Sequence, residues 1–170
     1  MKITYLHHSG FSVETETKVL LFDYYTEGGR KAYFDPAAYP DKAVFVFVSH
    51  AHEDHYDRRI LSWAKLPNVS YVFSLDVRTE AGFEGRVLRA EPHRTYDFDG
   101  ISIQTLRSND EGVAFLVKAD GKTIYHAGDL NWWHWNGEPE DFNAHIEKSY
   151  TTEINRLKGE KIDVAFVPAD

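Results

Sequence analysis

The chain has 170 residues, 42% of them hydrophobic, with a net charge of −8 and no cysteine. That length supports one domain with a core and leaves little for a second. The acidic balance, with no run of Lys and Arg, argues against sequence-independent nucleic-acid binding, and the lack of cysteine excludes a disulfide framework and leaves His and carboxylate as the donors for any zinc site.

Lys2–Leu6 and Phe11–Thr15 alternate apolar and polar residues and predict two short antiparallel strands, with His7-His8-Ser9-Gly10 as the loop between them. The start of the chain lacks a long apolar core and no stretch of 18 apolar residues occurs, so a cytoplasmic protein with no signal peptide and no membrane contact is expected. Val19–Phe22 predicts a further strand ending in Asp23, a carboxylate that needs a hydrogen-bond donor or a cation at the mouth of a buried strand. Tyr24–Asp41, with Gly28-Gly29, Pro36 and Pro40, reads as a loop in which Tyr25 and Tyr33 are candidates for touching a small molecule.

Val44–Val48 is an unbroken β-branched and aromatic run, the pattern of a central strand buried on both faces. It empties into His50-Ala51-His52-Glu53-Asp54-His55. His50 and His52, two apart in extended backbone, point the same way and can converge on one cation, while Asp54 and His55 beyond the turn can serve a second. Three His and one Asp in six residues exceed what a solvated loop requires. Asp57 is placed as an N-cap for a helix carrying Ile60, Leu61 and Ala64 up to Pro67, its positive end aimed at the histidines.

Further on, Val69–Phe73, Val87–Ala90, Arg94–Phe98 and Ile101–Leu106 predict strands, Asp76–Ala81 a short helix, and Asp99-Gly100 a tight turn. Val113–Ala119 and Lys122–Ala127 flank Asp120-Gly121, the strongest hairpin signal in the chain, and the second of them delivers Gly128-Asp129. The rings of Trp132, Trp133, His134 and Trp135 fit neither helical nor strand amphipathicity. They either cap the fold or wall a pocket in which Trp132 packs on a substrate and His134 or Asn131 hydrogen-bonds it. Glu140–Leu157, with Phe142, Ile146, Tyr150, Ile154 and Leu157 on one face, predicts a helix, and Asp163–Val167 a last strand.

The run from His50 to His55 matches His-x-His-x-Asp-His in full, and the chain resembles the metallo-β-lactamase superfamily. The resemblance implies a four-layer αββα sandwich of the α/β class with two divalent metal ions where the sheets meet, usually zinc, with manganese or another ion as the alternative. It assigns His50, His52 and Asp129 to one ion and Asp54, His55 and Asp129 to the other, with Asp129 bridging. It places Asp23 and His126 behind the ligands and His8 along the site. His7-His8-Ser9-Gly10-Phe11 and the segment from His126 to Trp133 are similar to the branch that contains the ascorbate-6-phosphate lactonase. Two departures stand out: residues 107–111 lack the superfamily's third-motif histidine, and the chain stops before its last ligand histidine. The expectation is therefore a single domain over residues 1–170 that is C-terminally incomplete, without its final strand and helix.

The expected activity is metal-dependent hydrolysis of a small ester, lactone or phosphoester, with a phosphorylated sugar lactone suggested by the branch. A cation lowers the pKa of bound water, Asp54 serves as proton acceptor as well as ligand, and neither a cysteine nor a Gly-x-Ser-x-Gly nucleophile is present. The alternatives are a truncated metal-binding domain without catalysis and a metal-dependent nuclease, the latter disfavoured by the acidic balance. A small-molecule substrate is the only partner expected; oligomeric state is not legible.

Overall fold

In the computed structural model, residues 1–26 and 33–169 are described, so Gly28-Gly29 of the loop lie outside the described residues. The first sheet runs in chain order: β1 (Lys2–His7), β2 (Gly10–Glu14), β3 (Lys18–Phe22), β4 (Ala43–Val48), β5 (Val69–Ser74) and β6 (Val87–Ala90). β1, β2 and β3 pair antiparallel, and β3 through β6 pair parallel. The continuous apolar run of β4 thus has its cause: a central parallel strand is covered on both faces. The second sheet holds β7 (Thr95–Phe98), β8 (Ile101–Arg107), β9 (Val113–Ala119), β10 (Lys122–His126) and β11 (Val164–Phe166) in the order β11-β10-β9-β8-β7. Both Asp-Gly signals close two-residue hairpins, β7–β8 and β9–β10, with both central residues at positive φ.

Alternation along the strands sorts side chains into layers. Leu20, Phe22, Phe45 and Phe47 of the first sheet meet Ile103, Phe115, Val117 and Ile124 of the second to form the central core. Val19, Leu21, Val44 and Val46 face the other way, under Tyr24, Ile60 and Trp63. On the far side of the second sheet, α1 (Glu140–Ile154) lays Tyr150 and Ile154 over Leu106, Leu116 and Tyr125. The result is the four-layer mixed α/β sandwich. No helix among the described residues is long and apolar enough to cross a membrane.

Two helical expectations change. Arg58–Lys65 is a 3-10 helix, although Asp57 does cap it, accepting from the Arg59 N–H at 2.9 Å. Ile60, Trp63 and Leu66 recur every third residue, the period that keeps one edge of a 3-10 helix apolar, and all three pack on the sheet. Residues 76–81 form turns and irregular backbone instead of a helix. There the Asp76 carboxylate is engaged elsewhere, accepting the Ala51 N–H at 2.7 Å and the Ser74 hydroxyl, which ties it to the histidine loop.

Candidate metal centre

The ends of β3 and β4 in the first sheet meet the end of β10 in the second, and the buried group on which they converge is Asp23. Its backbone lies in the left-handed region, φ 42°, unusual for a side chain other than glycine and tolerated because the surroundings over-determine it. Fully buried, its Oδ1 accepts the Ser49 N–H at 2.8 Å, and its Oδ2 accepts Ser49 Oγ–H at 2.7 Å, His55 Nδ1–H at 2.8 Å and His126 Nε2–H at 2.7 Å. Burial alone would raise the pKa of this carboxyl; His126 and His55 more than offset that and hold it far below the usual carboxylate range.

Those hydrogen bonds decide tautomers. Because Asp23 can only accept, the single Ser49 hydroxyl proton goes to it, and Ser49 Oγ must accept from His50 Nδ1, 2.9 Å away. His50 therefore presents a bare Nε2 lone pair, buried without a hydrogen-bond partner and 3.5 Å from Asp129 Oδ2. Burial, with the charge on His55, lowers the His50 pKa and keeps it neutral. A buried lone pair facing a carboxylate is unfavourable unless a cation lies between them. His55 is oriented from the same carboxylate: its Nδ1 is committed to Asp23, which leaves its Nε2 3.2 Å from Asp129 Oδ1.

The donors form two groups, each with ligand atoms within 4.8 Å of one another: His50, His52 and Asp129, and His8, Asp54 and His55. Within them, His8 Nε2 and Asp54 Oδ2 are 3.0 Å apart. Tetrahedral bonds of 2.0–2.1 Å place ligand atoms about 3.4 Å apart, close to the His50–Asp129 and His55–Asp129 separations and longer than the 2.7–2.8 Å hydrogen bonds around Asp23. The residues present therefore fit a pair of divalent cations. Gly128 lets Asp129 approach: its φ is 53°, and a Cβ there would stand 2.8 Å from the Ser49 side chain.

Of the residues expected at the site, Asp23 and His126 sit behind the two donor groups, and one oxygen of Asp129 is directed to each group. His8, expected only to line the site, stands beside Asp54 as a ligand candidate; it is carried there by the β1–β2 turn, where its own φ is 51°. Glu111 was not anticipated and lies 3.5 Å from His52 Nε2. The expectations for Trp132 and His134 change: both line a separate concavity with Trp135, Asn143 and Glu147. The physical reason is a reciprocal clamp, in which Asn143 Nδ2–H donates to Trp135 O and Trp135 N–H to Asn143 Oδ1, holding this stretch over α1. Asn131 is engaged by Asn109, whose amide donates to its carbonyl at 2.7 Å and accepts its N–H at 3.3 Å. Trp133 is the ring that reaches the metal cleft, its Nε1–H donating to Asp129 O at 3.1 Å.

Beside the donors lies a cleft of about 560 Å³, walled by Tyr5, Phe11, Trp133 and Phe166, with His8, Asp54 and Asp129 on its floor. Its size is that of a small-molecule site. Tyr25 does not line the cleft; it stacks on His7, 5.7 Å between ring centres, and meets the cleft residue His8 edge-on at 6.4 Å.

Two facing sheets bring two groups of His and Asp donors together at their strand ends, the arrangement of a candidate metal centre. The chain belongs to the β-lactamase superfamily domain family, whose model matches residues 2–140. It is similar to a UPF0173 metal-dependent hydrolase of Pyrococcus abyssi, 30% identical over 142 residues, covering 76% of this chain and 61% of that protein. A second UPF0173 metal-dependent hydrolase, from Pelotomaculum thermopropionicum, is 32% identical over 146 residues, covering 76% and 62%. The chain thus spans about three fifths of these relatives' length. In fold it is similar to a metallo-β-lactamase of Staphylococcus aureus, with a TM-score of 0.57 at 15% identity over 99% of this chain and 55% of that one. The metallo hydrolase Igni18 of Ignicoccus hospitalis gives a TM-score of 0.53 at 24% identity, over 74% and 59%.

Proposed function

We propose that this protein is a metal-dependent hydrolase of a small ester or lactone. The observation that carries the reading is the buried, partnerless Nε2 of His50 facing Asp129, whose second oxygen faces His55. His50 and His52 would hold one divalent ion, zinc or manganese, and His8, Asp54 and His55 the other, with one oxygen of Asp129 available to each. When bound, such ions supply Lewis acidity and lower the pKa of water to near neutrality. Asp54, half exposed where Asp129 is 23% exposed, is the more open of the two carboxylates on the cleft floor and takes the role of proton acceptor. The aromatic walls exclude water and hold an apolar substrate body.

The phosphorylated sugar lactone suggested by the branch resemblance receives less support, because no Lys or Arg lines the cleft among the described residues. A phosphate there would have only the cations to meet its charge. The test is to strip the purified protein with chelator, reload it with zinc or manganese, and screen lactones, carboxylic esters, phosphomonoesters and phosphodiesters. Lactone or ester turnover that follows metal content is the expected result. Metal uptake with no turnover of any class would favour a metal-binding domain without catalysis, and turnover of phosphodiesters alone would favour a nuclease.

Two substitutions sharpen the reading. His52→Ala, at a half-exposed side chain, is expected to lose at least one cation and lower activity by about 100-fold or more, with the unfolding midpoint near that of the parent. Retained activity would remove His52 from the ligand set. Trp133→Ala is expected to lower kcat/KM about tenfold or more, whereas Trp132→Ala and Trp135→Ala, on the separate concavity, stay within about twofold. Equal losses in all three variants would show that the loop acts as a packing unit and forms no pocket wall.

A further inference from the structure

Residues 107–112 supply no histidine to the centre, yet they are held against it on both sides. Val113 N–H donates to Ser49 O at 3.0 Å, immediately before the ligand His50. Gly112 sits at φ 69°, and a Cβ on it would fall 1.9 Å from Ser49 O and 2.8 Å from His50 Cβ, so only glycine permits this approach. On the other side the Asn109 amide bonds the backbone of Asn131, two residues beyond Asp129. Ser108 Oγ accepts the Asp110 N–H and closes the turn between the two attachments. The residue carried at the top of this strap is Glu111, with Oε2 3.5 Å from His52 Nε2.

We propose that Glu111 is a ligand of the cation held by His50, His52 and Asp129; the inference rests on the metal reading above. The Glu111–His52 separation equals that between His50 and Asp129, close to the edge of a tetrahedron built on 2.0–2.1 Å bonds. A half-exposed Glu–His contact in water adds little stability by itself and needs no strap of this kind. Charge gives an independent reason. Without Glu111, the donors Asp54 and Asp129 set two negative charges against the four positive charges of two divalent ions; Glu111 makes it three. A fourth donor that is carboxylate oxygen, in place of an imidazole, also shifts preference towards harder ions, favouring manganese relative to a set with a third imidazole.

The experiment uses the intact chain and reads metal binding, so it does not depend on a substrate. Manganese and zinc affinities are measured by competition with a chromophoric chelator, and the ligand field by the visible spectrum of the cobalt-loaded protein. Glu111→Gln is expected to weaken one of two manganese ions about tenfold or more and to change the cobalt spectrum. Glu111→His is expected to raise the zinc-to-manganese affinity ratio above that of the parent. The circular dichroism of both variants should match the parent, since the side chain is half exposed. If the parent binds two ions and Glu111→Gln leaves stoichiometry, affinity and cobalt spectrum unchanged, Glu111 is no ligand while the hydrolase reading stands. If the parent binds no ion, both fall together.

Discussion

Asp23→Ala is expected to destabilise the protein by about 3 to 5 kcal/mol, the cost of leaving buried charged and polar partners uncompensated. Four donors lose their acceptor at once: Ser49 N–H, Ser49 Oγ–H, His55 Nδ1–H and His126 Nε2–H, all on buried residues. Asp23→Asn should recover little of this. An amide turned so that its oxygen faces Ser49 Oγ and the two histidines points its NH₂ at the Ser49 N–H, and the opposite flip faces the NH₂ towards the larger cluster. The parent should also carry an acid signature that the variant lacks. The Asp23 carboxyl is depressed in the folded chain, so its contribution is complete above about pH 4 and is lost as the pH falls towards the folded-state value. Urea unfolding of the metal-free proteins between pH 3 and 8 checks both points. A loss under about 1 kcal/mol at pH 7 would mean that the four donors find other acceptors, and the account of Asp23 as the anchor of the site would be wrong.

The same residue explains why part of this site could be read from the chain and part could not. His50, His52, Asp54 and His55 are legible because they follow at once on one strand: β4 is apolar throughout and ends at Val48, and although bends at residues 49–51 replace the expected extended backbone, His50 and His52 still fall in one donor group. Asp129 is legible through its hairpin, since the Asp120-Gly121 turn fixes where β10 ends. His8 and Glu111 are different. Each reaches the centre on a bend whose direction depends on positive φ at His8 or at Gly112, and on contacts with Asp54 or Ser49 that are distant in sequence. No local pattern encodes such an approach. The failed helix at 76–81 has the same origin, because the hydrogen bond from Ala51 to Asp76 is a tertiary demand that overrides local preference. The tryptophan run shows ambiguity of another kind: its composition announces exposed rings, but the Asn143 clamp decides that Trp132 and Trp135 leave the cleft to Trp133.

Asp129→Asn is expected to weaken both cations by about tenfold or more each and to abolish most hydrolysis, with the fold retained. One oxygen lies 3.2 Å from His55 Nε2 and the other 3.5 Å from His50 Nε2, so a single carboxylate addresses both donor groups. An amide offers one lone-pair oxygen and one NH₂, and whichever way it turns, one group faces hydrogens where it needs negative charge. Proton release provides a second reading. Burial tends to lower the His55 pKa, but its hydrogen bonds to Asp129 and Asp23 push it up to about 10, above its ordinary value of 6.5. In the metal-free parent that proton is held across neutral pH, so a cation entering between His55 and Asp129 must expel it. Parent affinity therefore rises with pH towards about 10, and binding at pH 7 releases a proton. With the Asp129 charge removed, the His55 pKa falls, less proton is released, and the pH dependence flattens at lower pH. Titration calorimetry in two buffers of different ionisation enthalpy measures the proton count and both affinities together. If only the ion at His50 and His52 weakens and the proton count is unchanged, Asp129 serves one cation alone, and the second site is built from His8, Asp54 and His55 without it.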